Sequence, residues 1–185
     1  LPKTAWPPTS HQVVHALMER GFTRIGFAGS PLFSAAFSER YFGFRQSCYR
    51  AGLAVQEGDE WLDLLPGIDS EETENSILRH LEQNKSLPEV FFCGNDLLAV
   101  TLAKVLRRAG VRVPEDISLI GVDFNQLGQL AEPRLTTVDI GCSRQVEAAV
   151  EQLASFIETG TYKPARILMP TTLRWGDSVA YKRAY

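Results

Sequence analysis

One feature constrains this chain more than any other: an alternation of short, continuously apolar runs with longer stretches of helical spacing. The runs 24–29, 88–93, 117–123 and 135–140 read as strands, and 60–65 as a fifth. A strand apolar at every position has no solvent face, so it must be covered on both sides. Between the runs lie segments with apolar residues at helical intervals. The helices are placed at 11–20, 38–51, from 69–72 onward, from 96 or 97 to 109 and at 143–158, with one turn at 126–131. Thr9 and Ser10 are suited to cap the first helix. Val13, Val14, Leu17 and Met18 form its core face, and Ile77, Leu78 and Leu81 that of the third. Gly21, Gly52 and Gly110 follow the ends of three helices, where a left-handed residue is favoured. Segments 166–169 and 171–174 are late strand pieces. The fold class that follows is α/β, a parallel sheet flanked by helices on both faces.

The chain has 185 residues, 44% of them hydrophobic and 22% charged, which suits about one domain with a real core. Nineteen basic against 22 acidic side chains leave a net charge of -3. That balance argues against a surface built mainly to neutralise nucleic-acid phosphates. Cys48, Cys93 and Cys142 are too scattered for a disulfide framework or a metal knuckle, so no metal is expected. No apolar run reaches the roughly 20 residues of a membrane helix. The Pro-rich opening 1–8 carries no signal-peptide pattern, and the expected compartment is the reducing cytoplasm.

In open α/β sheets, ligands bind beyond the carboxyl ends of the strands. Here those ends lead to Arg40, to Pro66, to Asn95 and Asp96, and to Asp123 and Asn125. A guanidinium, an amide and a carboxylate on one rim can bracket vicinal hydroxyls, since Arg donates, Asp accepts and Asn does both. The set suits a sugar or another polyol. Each residue also has a plain structural reading: Asn95 and Asp123 are residues that cap helices and turns. Phe33 and Phe37 are candidates to wall the face of a sugar ring, although most of the aromatics at 33–44 belong in a core.

Enzyme motifs are missing. Neither a phosphate-cradling glycine loop nor a nucleophile elbow is present. His11 and His15 share a helix face, but the segment lacks the Glu of the metalloprotease motif and no third ligand is evident. His80 reads as a surface residue, and Asp69, Glu71, Glu72 and Glu74 as a helix start favoured by the dipole. No cofactor is expected.

Several stretches together resemble a known family. They are His15-Ala16-Leu17-Met18-Glu19-Arg20-Gly21-Phe22-Thr23-Arg24-Ile25-Gly26-Phe27-Ala28-Gly29, then Ser38-Glu39-Arg40-Tyr41-Phe42-Gly43-Phe44, then Phe91-Phe92-Cys93-Gly94-Asn95-Asp96. Further on come Gly110-Val111-Arg112-Val113-Pro114-Glu115-Asp116-Ile117-Ser118-Leu119-Ile120-Gly121-Val122-Asp123, Pro133-Arg134-Leu135-Thr136-Thr137-Val138 and Arg174-Trp175-Gly176-Asp177-Ser178-Val179. In this order and spacing they resemble the effector domain of lactose-repressor/galactose-repressor transcription regulators.

The resemblance implies a type-I periplasmic-binding-protein-like fold, in which two lobes close on a small effector, usually a sugar and sometimes a nucleoside or purine. Arg40, three residues before Gly43-Phe44, holds the place of the family's effector-binding Arg. Asp123 holds that of the strand-end Asp, and Asn95 that of the Asn that often joins them. Phe33, Phe37, Pro66 and Asn125 are further candidates. Leu65-Pro66 stands where the family often has a stacking aromatic.

The same resemblance divides the chain into 1–140, the C-terminal lobe; 141–163, a helix that normally packs in the other lobe; and 164–185, a return to the C-terminal lobe. It implies a homodimer that meets operator DNA only through an N-terminal headpiece outside this chain. The competing readings are a solute-binding protein of a sugar transport system, with the same fold, and an α/β enzyme using Asp123, which no nucleophile–base pair supports.

Overall fold

The computed structural model describes residues 8–67, 71–84, 86–162, 164 and 167–182. The opening segment 1–7, Asp69, Ser70 and Arg166, which the sequence assigns to an extended start, a helix start and a strand start, lie outside them. The elements in order are α1 (Pro8–Glu19), β1 (Ile25–Ala28), α2 (Ala35–Ala51), β2 (Glu60–Trp61), α3 (Glu71–Gln83), β3 (Val90–Cys93), α4 (Asp96–Arg108), β4 (Ser118–Val122), α5 (Gln126–Leu130), β5 (Thr136–Asp139), α6 (Cys142–Thr159) and β6 (Thr172–Arg174).

The strands form one sheet in the order β2-β1-β3-β4-β5-β6. Its first five strands are parallel, with Ile25 opposite Val90, Val90 opposite Ser118 and Ile120 opposite Thr136. β6 is the exception. It runs antiparallel to β5, with Thr137 opposite Arg174, so the sheet is mostly rather than wholly parallel. An antiparallel edge strand needs no crossover helix and closes the sheet on the side where the helices run out.

Alternation along each strand sorts the side chains into two cores. Ile25, Phe27, Val90, Phe92, Ile120, Val122 and Val138 pack on one face with Val13, Val14 and Leu17 of α1 and Phe44 and Cys48 of α2. Ala28, Phe91, Cys93 and Leu119 pack on the other with Ile77 of α3 and Leu98, Leu102 and Leu106 of α4. Phe27 is central to the first core, its ring lying 5.4–5.5 Å from those of Tyr41, Phe44 and Phe92. In β1 the absence of a side chain at Gly26 is required by packing. A Cβ there would lie 2.7 Å from the Asp59 carbonyl oxygen and from the Phe91 ring.

Several expectations are corrected in detail. Thr9 and Ser10 do not cap α1, because the helix starts at Pro8, a residue tolerated in a first turn since it lacks an N–H. The Ser10 hydroxyl instead donates to the Arg40 carbonyl oxygen, 2.8 Å away, pinning α1 to α2. The run 60–65 is strand only at Glu60–Trp61, and residues 167–169 are not in a strand. Leu78 is 41% exposed, so the core face of α3 is carried by Ile77 with Leu81 at its margin. His80 is not a free surface group: its ring stacks on Trp61 at 4.8 Å, and Nε2 meets the Asp63 carboxylate at 2.5 Å. Glu74 pairs with Lys104 and Arg108, so the acids of α3 also tie it to α4.

The β1–β2 edge rests on one buried ion pair. Asp59 is fully buried and accepts from Arg24 Nε at 3.0 Å and Nη2 at 2.7 Å, and from the Gln56 amide at 3.0 Å. Removing the carboxylate leaves a guanidinium and an amide without their acceptor. Asp59→Ala is expected to cost roughly 3 kcal/mol and lower the melting temperature by roughly 6–12 °C. Thermal unfolding followed by circular dichroism checks this.

Candidate functional site

The parallel strands deliver their following loops to one edge of the sheet. β1 leads through Gly29–Phe33 to α2, whose second turn carries Arg40. β3 ends at Gly94 and Asn95, and β4 at Asp123. Arg40 reaches across these loops. Its Nη1 donates to the Gly94 carbonyl oxygen at 2.6 Å, and its Nη2 pairs with Asp123 Oδ1 at 3.3 Å. Both side chains are largely out of solvent, at 14% and 31% exposure. Burial lowers the Arg40 pKa against the pull of Asp123, and burial raises that of Asp123 against the pull of Arg40.

The other sequence-selected residues divide. Asn95 caps α4, its Oδ1 accepting from the Leu98 amide at 2.9 Å. Asn125 caps α5 in the same way, accepting from the Gly128 amide at 2.9 Å. In both, the amide N–H groups take no part in the cap and keep their donating capacity. Phe37 is buried against Gly29 and Gly94, and a Cβ at Gly94 would lie 2.2 Å from its ring. It is a core residue with no face to offer. Phe33, edge-on to Phe37 at 5.0 Å, is 49% exposed and is the ring of the two that can meet a ligand. Pro66 is half-buried in the loop after β2. His11 and His15 stack at 6.1 Å on the outside of α1, and His15 meets Glu19. Among the described residues no group of three or more His, Cys, Asp or Glu is placed to hold a metal.

Sequence reasoning placed Asp96 at a strand end but gave it no role. It is fully buried, and its Oδ1 accepts from the Thr137 hydroxyl at 2.5 Å while Oδ2 accepts from the Asn125 amide at 2.9 Å. Asp96 thus joins the start of α4, strand β5 and the loop that carries Asp123. The available signal was the pair of glycines around it. A Cβ at Gly121 would lie 2.3 Å from Oδ1, and one at Gly128 3.3 Å from Oδ2. Asp123 and Phe124 have φ of 119° and 56°, a region that non-glycine residues enter at a cost of roughly 1–3 kcal/mol each.

The model of the periplasmic binding protein-like domain matches residues 14–179. The chain belongs to that family. It is 30% identical over 166 residues to the ribose operon repressor of Escherichia coli strain K12, covering 88% of this chain and 48% of the repressor. It is 32% identical over 142 residues to the HTH-type transcriptional repressor PurR of Aliivibrio salmonicida strain LFI1238, covering 77% of this chain and 41% of that one. The structure of a transcriptional regulator CelR–cellobiose complex superposes with a TM-score of 0.76 at 25% identity, over 92% of this chain and 50% of CelR. The chain therefore spans about half the length of the relatives it matches. In open α/β sheets ligands bind outside the carboxyl ends of the strands, the edge at which Arg40 and Asp123 stand here. No helix among the described residues is long and apolar enough to cross a membrane.

Burial pushes the Asp96 carboxyl up to about 6, outweighing the hydrogen bonds from Thr137 and Asn125 that favour the anion. Between its ordinary value near 3.8 and about 6, the folded chain holds a proton that the unfolded chain has released. The contribution of Asp96 to stability therefore falls as pH rises through that window. Asp96→Asn removes the titration. Denaturant unfolding should show the stability of the native chain, relative to Asp96→Asn, declining from pH 4 to pH 6. A relative stability that rises over the same interval would contradict the assignment.

Proposed function

We propose that this chain is the effector-sensing region of a DNA-binding transcription regulator, and that Arg40, Asn95 and Asp123 hold the hydroxyl-bearing face of a sugar or nucleoside. The observation that carries the reading is the Arg40–Asp123 pair. It is a donor and an acceptor side by side, withdrawn from bulk water, at the carboxyl rim of a parallel sheet. A polyol offers both functions from adjacent hydroxyls and can bridge such a pair. Phe33 and Pro66 supply apolar surface at the same rim, and Asn125 a further amide. The relatives support a regulator rather than a transport protein or an enzyme, since they are an operon repressor and transcriptional regulators.

In this reading residues 1–140 form one lobe, 141–163 a helix belonging to the other, and 164–185 the return. The state of α6 supports that partition. None of its side chains is buried, and Val146, Val150, Leu153 and Ile157 are 57–73% exposed. Covering each of them would stabilise the assembly by about 1.5–3 kcal/mol. The effector would sit between lobes and favour one closed arrangement. In a cytoplasmic homodimer that arrangement alters how a headpiece outside this chain fits operator DNA, a coupling between two distinct sites. The role needs binding alone, with no catalytic group and no cofactor.

In the intact regulator, Arg40→Ala and Asp123→Ala should each weaken effector binding by roughly 10–100-fold, the worth of one charge-assisted hydrogen bond. A reporter assay should lose its effector response while the melting temperature stays within a few degrees. An unchanged response in both variants refutes the site. In this reading the other lobe supplies one wall of the cleft, so the 185-residue chain alone should bind the same effector far more weakly than the intact protein. Calorimetry giving equal affinities would show that no second lobe is needed.

A further inference from the structure

We infer that Asp96 is the positioning residue of this site, a buried carboxylate that sets the 123–125 loop and so places the Asp123 side chain against Arg40. The inference rests on the proposed role of that pair in binding an effector.

Asp123 and Phe124 are consecutive non-glycine residues in the left-handed region. Such a loop persists only where its surroundings over-determine it. Four contacts do so. The Asp123 amide donates to the Val138 carbonyl oxygen at 2.9 Å, and the Phe124 amide to the Thr137 hydroxyl oxygen at 3.3 Å. The Asn125 amide donates to Asp96 Oδ2 at 2.9 Å, and the Thr137 hydroxyl to Asp96 Oδ1 at 2.5 Å. Two of the four end on Asp96, and a third reaches it through Thr137. Without the carboxylate, the Asn125 amide loses its acceptor and the Thr137 hydroxyl is free to turn, so the strained segment can relax.

The arrangement is built around the carboxylate. Gly121 beneath it and Gly128 beside it leave the space that its two oxygens fill. Asp96 lies in the first turn of α4, where the helix dipole favours a negative charge. Yet it is fully buried and has no cationic hydrogen-bond partner of its own. The charged groups around it are Arg40 from α2 and Asp123 after β4, with the Cys93 thiol on β3 beside it. A residue needed only to start a helix would be better placed at the solvent-facing side of that turn. Asp96 instead faces the loop whose geometry the site depends on.

The test separates position from charge. Asp96→Asn removes the charge and keeps an acceptor for the Asn125 amide. Asp96→Ala removes both, and Thr137→Val keeps the charge but removes the hydroxyl through which β5 holds Asp96 and the Phe124 amide. In the 185-residue chain without ligand, the Asp123 carboxyl is titrated by carbon-13 NMR. Asp96→Ala should bring its midpoint closer to the ordinary carboxylate value than Asp96→Asn does, and should speed exchange of the Asn125 amide at least tenfold. Equal midpoints in the two variants would overturn positioning. Should Asp96→Ala not fold, Thr137→Val decides: a shifted Asp123 midpoint supports the inference and an unchanged one overturns it.

In the intact regulator, with D-ribose as probe, Asp96→Ala should weaken binding about tenfold but cost nothing further when Asp123 is already Ala. Equal losses in both backgrounds would show that Asp96 does not act through Asp123. If the wild-type regulator binds no D-ribose, that counts against the ribose-bearing effectors of the proposed function, and the ligand-free titration still decides the role of Asp96.

Discussion

The structure depends on one constraint: a parallel sheet must be buried on both faces. β1, β3 and β4 are apolar at consecutive positions because alternate side chains enter different cores, Phe27 and Phe92 on one side, Phe91 and Cys93 on the other. Helices must then cross over between strands, with α1 and α2 on one face and α3 and α4 on the other. All the strand-to-helix turns consequently fall at one edge. Arg40, Asn95 and Asp123 are 83 residues apart at their extremes, yet the first and last are in direct contact. The proposed site follows from the topology, since the loops after the parallel strands gather at this edge.

That edge is also where the chain departs from regular geometry. The backbone turns left-handed at Asp123 and Phe124, and a carboxylate is buried beneath them. Consistent local choices are what make a sequence foldable, and departures gathered at one rim accord with the proposed binding role of that rim. The opposite end shows what stability alone requires. There the Arg24–Asp59 pair and the Glu89 carboxylate, which accepts from the Thr23 and Arg24 amides, close loops with ordinary satisfied hydrogen bonds.

α6 has a different standing. It is a well-formed helix of 18 residues ended by Gly160 in the left-handed conformation, but its apolar stripe stands exposed among the described residues. The sequence places the helix and its stripe correctly from spacing alone. In the proposed lobe arrangement the other lobe covers this stripe.

The sequence by itself determined the fold class and nearly every element, because helical spacing and unbroken apolar runs are local signals with a direct steric cause. It also selected Arg40, Asn95 and Asp123, through the strand ends and a family resemblance. Tertiary structure decided the rest. It turned β6 antiparallel, shortened β2 to two residues, stacked His80 on Trp61, buried Phe37 and left Phe33 as the exposed ring. It also buried Asp96 beneath the 123–125 loop, which its position after Asn95 did not suggest. Each of these depends on which residues distant in sequence meet across the sheet. A composition or a spacing carries no record of that meeting until the strands are in register.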